Sequence, residues 1–321
     1  MPWLAVETVG NNVVARSFLG RPQRVVLAGH TDTVPVNANA RARLDGDVLH
    51  GLGSADMKSG LAVMMHLAES LRPQELGVDV TFVFYACEEV AAVHNGLRLL
   101  FAQRPDLLRG DVAILGEPTS ALIEAGCQGT MRLQLTLGGA RAHTARPWMG
   151  RNAVHRLGPV LTRIAGYVER RPVIDGCEFR EALQVVKIEG GVAGNVVPDR
   201  TVLTINHRFA PDRSAAEAIA HVRNVIGEDI LHDDAVLEVV DVAEPAAPAL
   251  EHRLLMALAD LVKIPPTAKL GWTDVSFFAA NGVPAVNFGP GDPTLAHTAE
   301  EWVGRAEIEQ VHQVLKTLLS T

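Results

Sequence analysis

Cysteine is scarce in this chain of 321 residues: Cys87, Cys127 and Cys177 form an odd set with no CxxC pair. That argues against a disulfide framework or a thiolate zinc knot. A basic surplus is lacking too, with 29 Lys and Arg against 37 Asp and Glu and a formal net charge of −8. A nucleic-acid-binding footprint therefore has no electrostatic basis. No apolar run approaches the ~18 residues of a membrane span; the longest candidates, such as 80–87, have the length of a buried strand. The opening MPWLAVETVG has no basic cluster and carries Glu7 early, so no secretory leader is expected, and the expected location is the cytoplasm. Glycine and proline, at 28 and 18 residues, fall short of the roughly 25–30% of low-complexity chains. No internal repeat at a period of about 20–50 residues is visible.

What is present is an ordinary globular balance, 48% hydrophobic and 21% charged, enough for a sizeable core. The length predicts two domains at about 150 residues each. Residues 24–28 (RVVLA), 78–86 (VDVTFVFYA) and 111–115 (DVAIL) read as buried strands; 59–71 and 92–103 read as helices. This alternation predicts an α/β layer with a mostly parallel sheet. The middle third changes rhythm: strand 132–137, helix 152–170, strands 183–188 and 201–209, helix 214–226 with Ser214 as cap, and strand 235–240. That order is the split βαββαβ of a ferredoxin-like domain. Helix 254–262, strand 284–288 and helix 306–319 return to α/β, after a Pro/Ala connection at 244–249. The expected division is a catalytic domain in two parts, 1–128 and 242–321, interrupted by a lid at 129–241.

Five loops at predicted strand ends or helix starts carry chemistry, and that edge of an open α/β sheet is where ligands bind. They are His30-Thr31-Asp32, GLGSADMKSG (51–60) with Asp56, Cys87-Glu88-Glu89, Gly116-Glu117-Pro118-Thr119 and GPGDPTLAH (289–297) ending in His297. Singly, each is ordinary: an Asp in a glycine-rich loop is usually a turn former, and 51–60 lacks the spacing of a phosphate loop. The Glu pair, however, closes an apolar strand, where ionised carboxylates are costly unless paired or metal-bound. Two histidines and three carboxylates, one of them bridging, suit two divalent ions of the zinc type, with Co²⁺ or Mn²⁺ able to substitute. Paired ions polarise a carbonyl and acidify a water lying between them. Of Glu88 and Glu89, one can bind metal while the other takes the water's proton.

The order of these motifs is similar to that of the M20 metallopeptidase family, over nearly the whole chain. The segments 126–155, GGVAGNVVPD (190–199) and NHRFAPDRS (206–214) most resemble its desuccinylating branch of actinobacterial type. The resemblance implies a di-zinc amidohydrolase with an α/β catalytic domain and a ferredoxin-like lid that serves as dimerisation domain. It implies that His30 and Glu117 hold one zinc, Glu89 and His297 the other, and Asp56 both. Glu88 becomes the general base, and Asp32 the partner of His30's second ring nitrogen. Asp56-Met57 resembles the family's cis peptide. Glu at position 117 favours deacylases over dipeptidases. His143 resembles a lid histidine that stabilises the oxyanion in the partner subunit's site. Arg208 and Asn195 resemble residues that hold substrate carboxylate, an arginine fork being suited to it, and Thr273 is a further substrate contact. The partners implied are a small-molecule substrate and a second copy of the chain, with neither nucleic acid nor membrane. Other deacylases or aminoacyl carboxypeptidases of the family share the same metal chemistry, so only the lid and pocket separate them. A binding or regulatory protein that had lost catalysis is the other alternative, and the presence of Glu88 speaks against it. The family usually opens with a helical segment that this sequence is expected to lack, and Cys87 is expected to be an inert packing residue.

Overall fold

The structure, a computed structural model, describes residues 2–232 and 234–320. The first part supplies β1 (Ala5–Val9), β2 (Asn12–Arg16), β3 (Arg24–His30), α1 (Ser59–Ser70), β4 (Asp79–Tyr85), α2 (Gly96–Gln103), β5 (Val112–Leu115) and β6 (Glu124–Ala125). The inserted part supplies β7 (Gly129–Gly138), α3 (Leu157–Ala165), β8 (Ala182–Gly190), β9 (Arg200–Phe209), α4 (Ala215–Ile226) and β10 (Ala235–Ala243). The chain returns with α5 (Arg253–Val262), β11 (Thr267–Ala268), α6 (Val275–Ala280), β12 (Ala285–Asn287) and α7 (Arg305–Leu319).

The large sheet runs β1-β2-β4-β3-β5-β12-β6-β11, and its four central strands β4, β3, β5 and β12 are parallel. A strand buried on both faces must be apolar on both, and β3 shows it. Val25 and Leu27 join the core under α1, α5 and α7, with Val63, Leu67, Leu258 and Leu315. Val26 and Ala28 join the core under α2 and α6, with Leu97, Leu100 and Phe278. The lid sheet runs β8-β9-β7-β10, antiparallel throughout. This is the expected βαββαβ arrangement, with α3 and α4 covering Leu133, Leu135, Leu203 and Ile205. One short hairpin, Val173–Ile174 with Cys177–Glu178, lies within the lid sequence, yet Cys177 and Phe179 pack in the core of the catalytic sheet.

Two expected helices are shorter than their hydrophobic pattern. The one expected at 152–170 is confined to Leu157–Ala165. The Asn152 side chain accepts the amides of Val154 and His155 and holds a turn there, and Pro159 is tolerated only because it lies in the first helical turn. The one expected at 92–103 is a 3₁₀ turn, Ala92–His94, followed by α2. Asn95 caps α2 by accepting the Leu97 and Arg98 amides. Ser214 caps α4 in a capping box with Glu217. The chain also forms pairings not expected from its sequence, notably β1 with β2 and a small sheet of Arg43–Asp45, Val48–His50 and Trp302–Gly304.

At the amino end of β4, buried Asp79 accepts the Ser17 hydroxyl and the amides of Leu19 and Arg21. Burial pushes its carboxyl up, but these bonds and Arg24 outweigh it and hold the pKa below the usual range. A depressed folded-state pKa gives stability that is present above pH ~4 and lost as pH falls through the folded value. Asp79→Asn is expected to lower stability at pH 7 by about 1.5–3 kcal/mol and to flatten the acid limb of the stability–pH curve. Urea unfolding at pH 7 and pH 3 checks this, and equal stability of the two proteins at pH 7 would refute it.

Candidate metal centre

The four parallel strands deliver their functional loops to one edge. β3 ends on His30, β4 runs into Glu88 and Glu89, β5 into Glu117, and β12 into the loop that ends at His297. The loop before α1 brings Asp56 to the same place. These loops touch backbone to backbone: a Cβ on Gly60 would lie 2.2 Å from the Gly116 carbonyl oxygen, and one on Gly289 would lie 2.3 Å from that same atom. Their glycines are thus the condition for bringing the carboxylates together.

His30 is 1% exposed. Its Nε2 lies 3.0 Å from Asp56 Oδ1, and its backbone N–H donates to Met57 Sδ. Nδ1 faces the Asp32 carbonyl at 3.1 Å, while the Asp32 carboxylate is 3.7 Å away. That carboxylate accepts the amides of Glu88 and Glu89, each at 3.1 Å. Asp32 therefore ties the His30 loop to the Glu pair, which is more than the support of one ring nitrogen. On the other side, His297 Nε2 lies 3.1 Å from Glu89 Oε1 and 3.4 Å from Asp56 Oδ2. The Asp56-Met57 peptide is cis.

Ligand atoms of His30, Asp56 and Glu117 lie within 4.8 Å of one another, as do those of Asp56, Glu89 and His297. The two clusters share Asp56. Glu88 also has an oxygen within 4.8 Å of ligand atoms of His30 and Glu89, and among the described residues it forms no ion pair with a lysine or arginine. Burial, with the charges of Asp274 and Glu117, pushes the Glu88 carboxyl well above the usual range. Glu117 is raised by burial and by Asp56 and Asp274, and one of its buried oxygens has no partner. His30 is pulled down by burial but pushed up to about 12 by Asp32, Asp56 and the neighbouring glutamates. Asp56 raises His297 to about 9. A crevice with this surplus of negative charge, an orphaned glutamate oxygen and two imidazoles matches the donor set of a divalent cation site with nitrogen and oxygen ligands. The residues fit a metal.

A crevice of about 800 Å³ opens over the clusters, lined by Asp56, Glu88, Glu89, Glu117, Thr273 and His297 among others. Thr273 is buried, and its hydroxyl has no partner. The lid residues are elsewhere in this chain: His143, Asn195 and Arg208 are not among those lining the crevice. His143 and Asn195 adjoin on one exposed lid surface, where Thr144 N–H donates to the Asn195 carbonyl. Arg208 is half-buried on β9, and no carboxylate among the described residues pairs with it. Cys87 does not pack in the core; it is half-buried at φ 65 and forms the turn out of β4.

Sequence reading missed three side chains. Lys269 is a cation on the crevice wall, paired with Glu124 at 2.6 Å. Asp274 is fully buried behind the site and held by the Asn95 amide. Glu301 binds the loop that carries Asp56. Only Asp274, beside Thr273 in GWTDVS, lay in a segment already singled out.

Divalent ions are expected to bind the folded chain, stabilise it by about 2.7 kcal/mol at a hundredfold excess over Kd and so raise its melting temperature. Because His30 and His297 hold protons without metal, uptake releases protons, and affinity strengthens as pH rises toward the His297 value near 9. Calorimetry in two buffers of different ionisation enthalpy reads the proton count. An affinity independent of pH from 6 to 9 would refute it.

The sequence pattern of peptidase family M20/M25/M40 matches residues 26–321. A Mycobacterium tuberculosis protein with the provisional name succinyl-diaminopimelate desuccinylase is 52% identical over 310 residues, covering 97% of this chain and 86% of that protein. The Corynebacterium glutamicum succinyl-diaminopimelate desuccinylase is 45% identical, covering 100% of this chain and 87% of that protein. Among solved structures, the aminopeptidase PepT of Bacillus cereus superposes with a TM-score of 0.77 at 17% identity, covering 99% of this chain and 88% of that one. A metallo-carboxypeptidase of Sulfolobus solfataricus gives 0.74 at 15% identity, covering 99% and 89%. At such identities these two structures establish the fold. No helix among the described residues is long and apolar enough to cross a membrane.

Proposed function

From the premise that the chain belongs to peptidase family M20/M25/M40, a family of metal-dependent hydrolases, we propose that it removes succinate from N-succinyl-LL-2,6-diaminopimelate, in the route to lysine and cell-wall diaminopimelate. The observation that carries the hydrolytic reading is Glu88, which among the described residues pairs with no lysine or arginine and lies against His30 and Glu89, beside the two clusters that share Asp56. The 45% identity to the Corynebacterium glutamicum enzyme over the whole chain narrows the substrate. Three unpaired cysteines are in keeping with the reducing cytoplasm as its location.

His30, Asp56 and Glu117 would hold one divalent ion, and Asp56, Glu89 and His297 a second, zinc being the ion best suited to these donors, with cobalt or manganese able to replace it. When bound, such ions polarise the amide carbonyl and acidify water. The chain's own residues do the rest. Glu88 takes the proton from the attacking water and delivers it to the leaving amine, for which its raised pKa is the right setting. Asp32 holds Glu88 in place through its amide. Thr273 offers an unpartnered hydroxyl to substrate in the crevice. Arg208, with burial and Arg132 lowering its pKa and no carboxylate partner, is an unfilled carboxylate site. Asn195 and His143 complete the site from the lid (129–241) of a partner in a homodimer, His143 stabilising the oxyanion.

Two experiments test this. Purified protein is assayed side by side with succinyl-diaminopimelate and N-acetylornithine; faster turnover of the latter would overturn the substrate assignment. Glu88→Gln is expected to cut kcat by ~10²–10⁴-fold while metal content stays at the wild-type value.

The dimer reading has its own test. His143→Ala and Glu88→Gln should each be inactive alone. A C₂ dimer of one of each contains one site with both residues intact. After random subunit exchange, about a quarter of wild-type activity should return. No recovery, with mixed dimers confirmed by mass, would show that His143 does not act across the interface.

A further inference from the structure

Glu301 lies four residues beyond His297 and is 2% exposed. It does not line the crevice. Its carboxylate is instead consumed by the loop that presents Asp56: Oε2 accepts the Gly53 amide at 2.9 Å, and Oε1 accepts the amides of Ala55 and Asp56, each at 2.9 Å. Three N–H groups converging on one point need an acceptor with two oxygens and no hydrogen, which among side chains only a carboxylate supplies. The loop is shaped for it. Gly53 sits at φ 73, a left-handed conformation open to glycine, and turns its amide toward Glu301.

The backbone on either side of Glu301 is fastened to the same stretch of chain. Gly51 N–H donates to the Glu301 carbonyl at 3.1 Å, and Asn39 donates through its side chain to the Thr298 carbonyl. Immediately after Glu301, Trp302–Gly304 pairs with Val48–His50. Segments 245 residues apart are thus clamped together, one ending in Asp56 and the other beginning at His297. His30 reaches the same loop through Met57 Sδ and Asp56 Oδ1, whereas Glu117 follows directly from β5.

We propose that Glu301 is the positioning residue that sets the placement of Asp56 against His297 and His30, and with it the affinity of the chain for the two divalent ions that would share Asp56. The inference rests on the two-ion reading of the site. It makes Glu301 a determinant of metal loading that touches neither ion nor substrate. It also makes the loop 297–301 a single functional unit, with its ligand at one end and its anchor at the other.

The test is a calorimetric titration of the chelator-treated full-length protein with Co²⁺, followed in parallel by the visible spectrum of the bound ion. Wild type is compared with Glu301→Gln, which keeps the shape but sets an amide N–H₂ against a backbone N–H, and with Glu301→Asp, which keeps the charge but shortens the reach. Asp79→Asn is the control: it removes another buried carboxylate that accepts backbone amides, at the opposite end of β4. In Glu301→Gln and Glu301→Asp both ions should lose ~10–100-fold in affinity and change their spectra, because both clusters use Asp56. At limiting metal kcat should fall with KM unchanged. Asp79→Asn should lower the melting temperature and leave the isotherm intact. If Glu301→Gln does not fold, Glu301→Asp carries the comparison. Two ions bound with wild-type affinity and spectrum by the Glu301 variants would overturn this inference alone, as would equal weakening in Asp79→Asn. A wild type that takes up no divalent ion would overturn the two-ion reading, and this inference with it.

Discussion

Crowding of like charge is the constraint around which the molecule is arranged. Asp56, Glu88, Glu89 and Glu117 meet at one crevice beside the His30 and His297 imidazoles, and Lys269 on its wall is already paired with Glu124. Carboxylates brought so close repel and shed their ionised form unless cations or oriented dipoles hold it. Against that repulsion the chain fixes the loops by their backbone: Asp32 and Glu301 accept the peptide N–H groups of the segments that carry Asp56, Glu88 and Glu89. The glycine contacts among loops 51–60, 116–119 and 289–297 then become necessary, because a single methyl group would part the ligand atoms. A parallel sheet suits the task, since four adjacent strand ends can each release a loop at the same level.

Much of this was legible in the sequence. The apolar runs at β3, β4 and β5 are strands because nothing polar interrupts them, and Ser214 caps its helix by a local rule that needs no tertiary knowledge. The loops carrying His30, Asp56, Glu88, Glu89, Glu117 and His297 were read from the order of their motifs, and the fold draws their ligand atoms into three overlapping clusters. What escaped was what long-range pairing decides. The helix expected at 152–170 is confined to Leu157–Ala165 and preceded by a turn in which Asn152 accepts the Val154 and His155 amides. Glu301 resembles any acidic residue before a helix until Gly53, Ala55 and Asp56 are brought to it. The three-residue strands Val48–His50 and Trp302–Gly304 exist only because they find each other.

The relatives divide the problem in the same way. Structures at 15–17% identity share the architecture while their names span an aminopeptidase and a carboxypeptidase. At those identities the likeness is one of fold alone. In this chain Thr273 and Lys269 line the crevice, while Arg208, His143 and Asn195 lie in the inserted part and do not line it. Among the described residues no carboxylate pairs with Arg208, and burial makes that absence costly.

The hairpin at Val173–Ile174 and Cys177–Glu178 gives the molecule an order of assembly. The lid sheet is built from one uninterrupted stretch of chain, and it can close on itself as soon as β10 leaves the ribosome. The catalytic sheet cannot: its core needs Cys177 and Phe179 from the middle of the chain and Leu315, Leu318 and Leu319 from its end. Gly77, just ahead of β4, gives its amide to the Leu319 carbonyl. Synthesis at about 5–20 residues per second leaves the first half exposed for many seconds before α7 arrives. During that interval the strands of the lid sheet are all available to pair, while the catalytic sheet still waits for β11, β12 and α7.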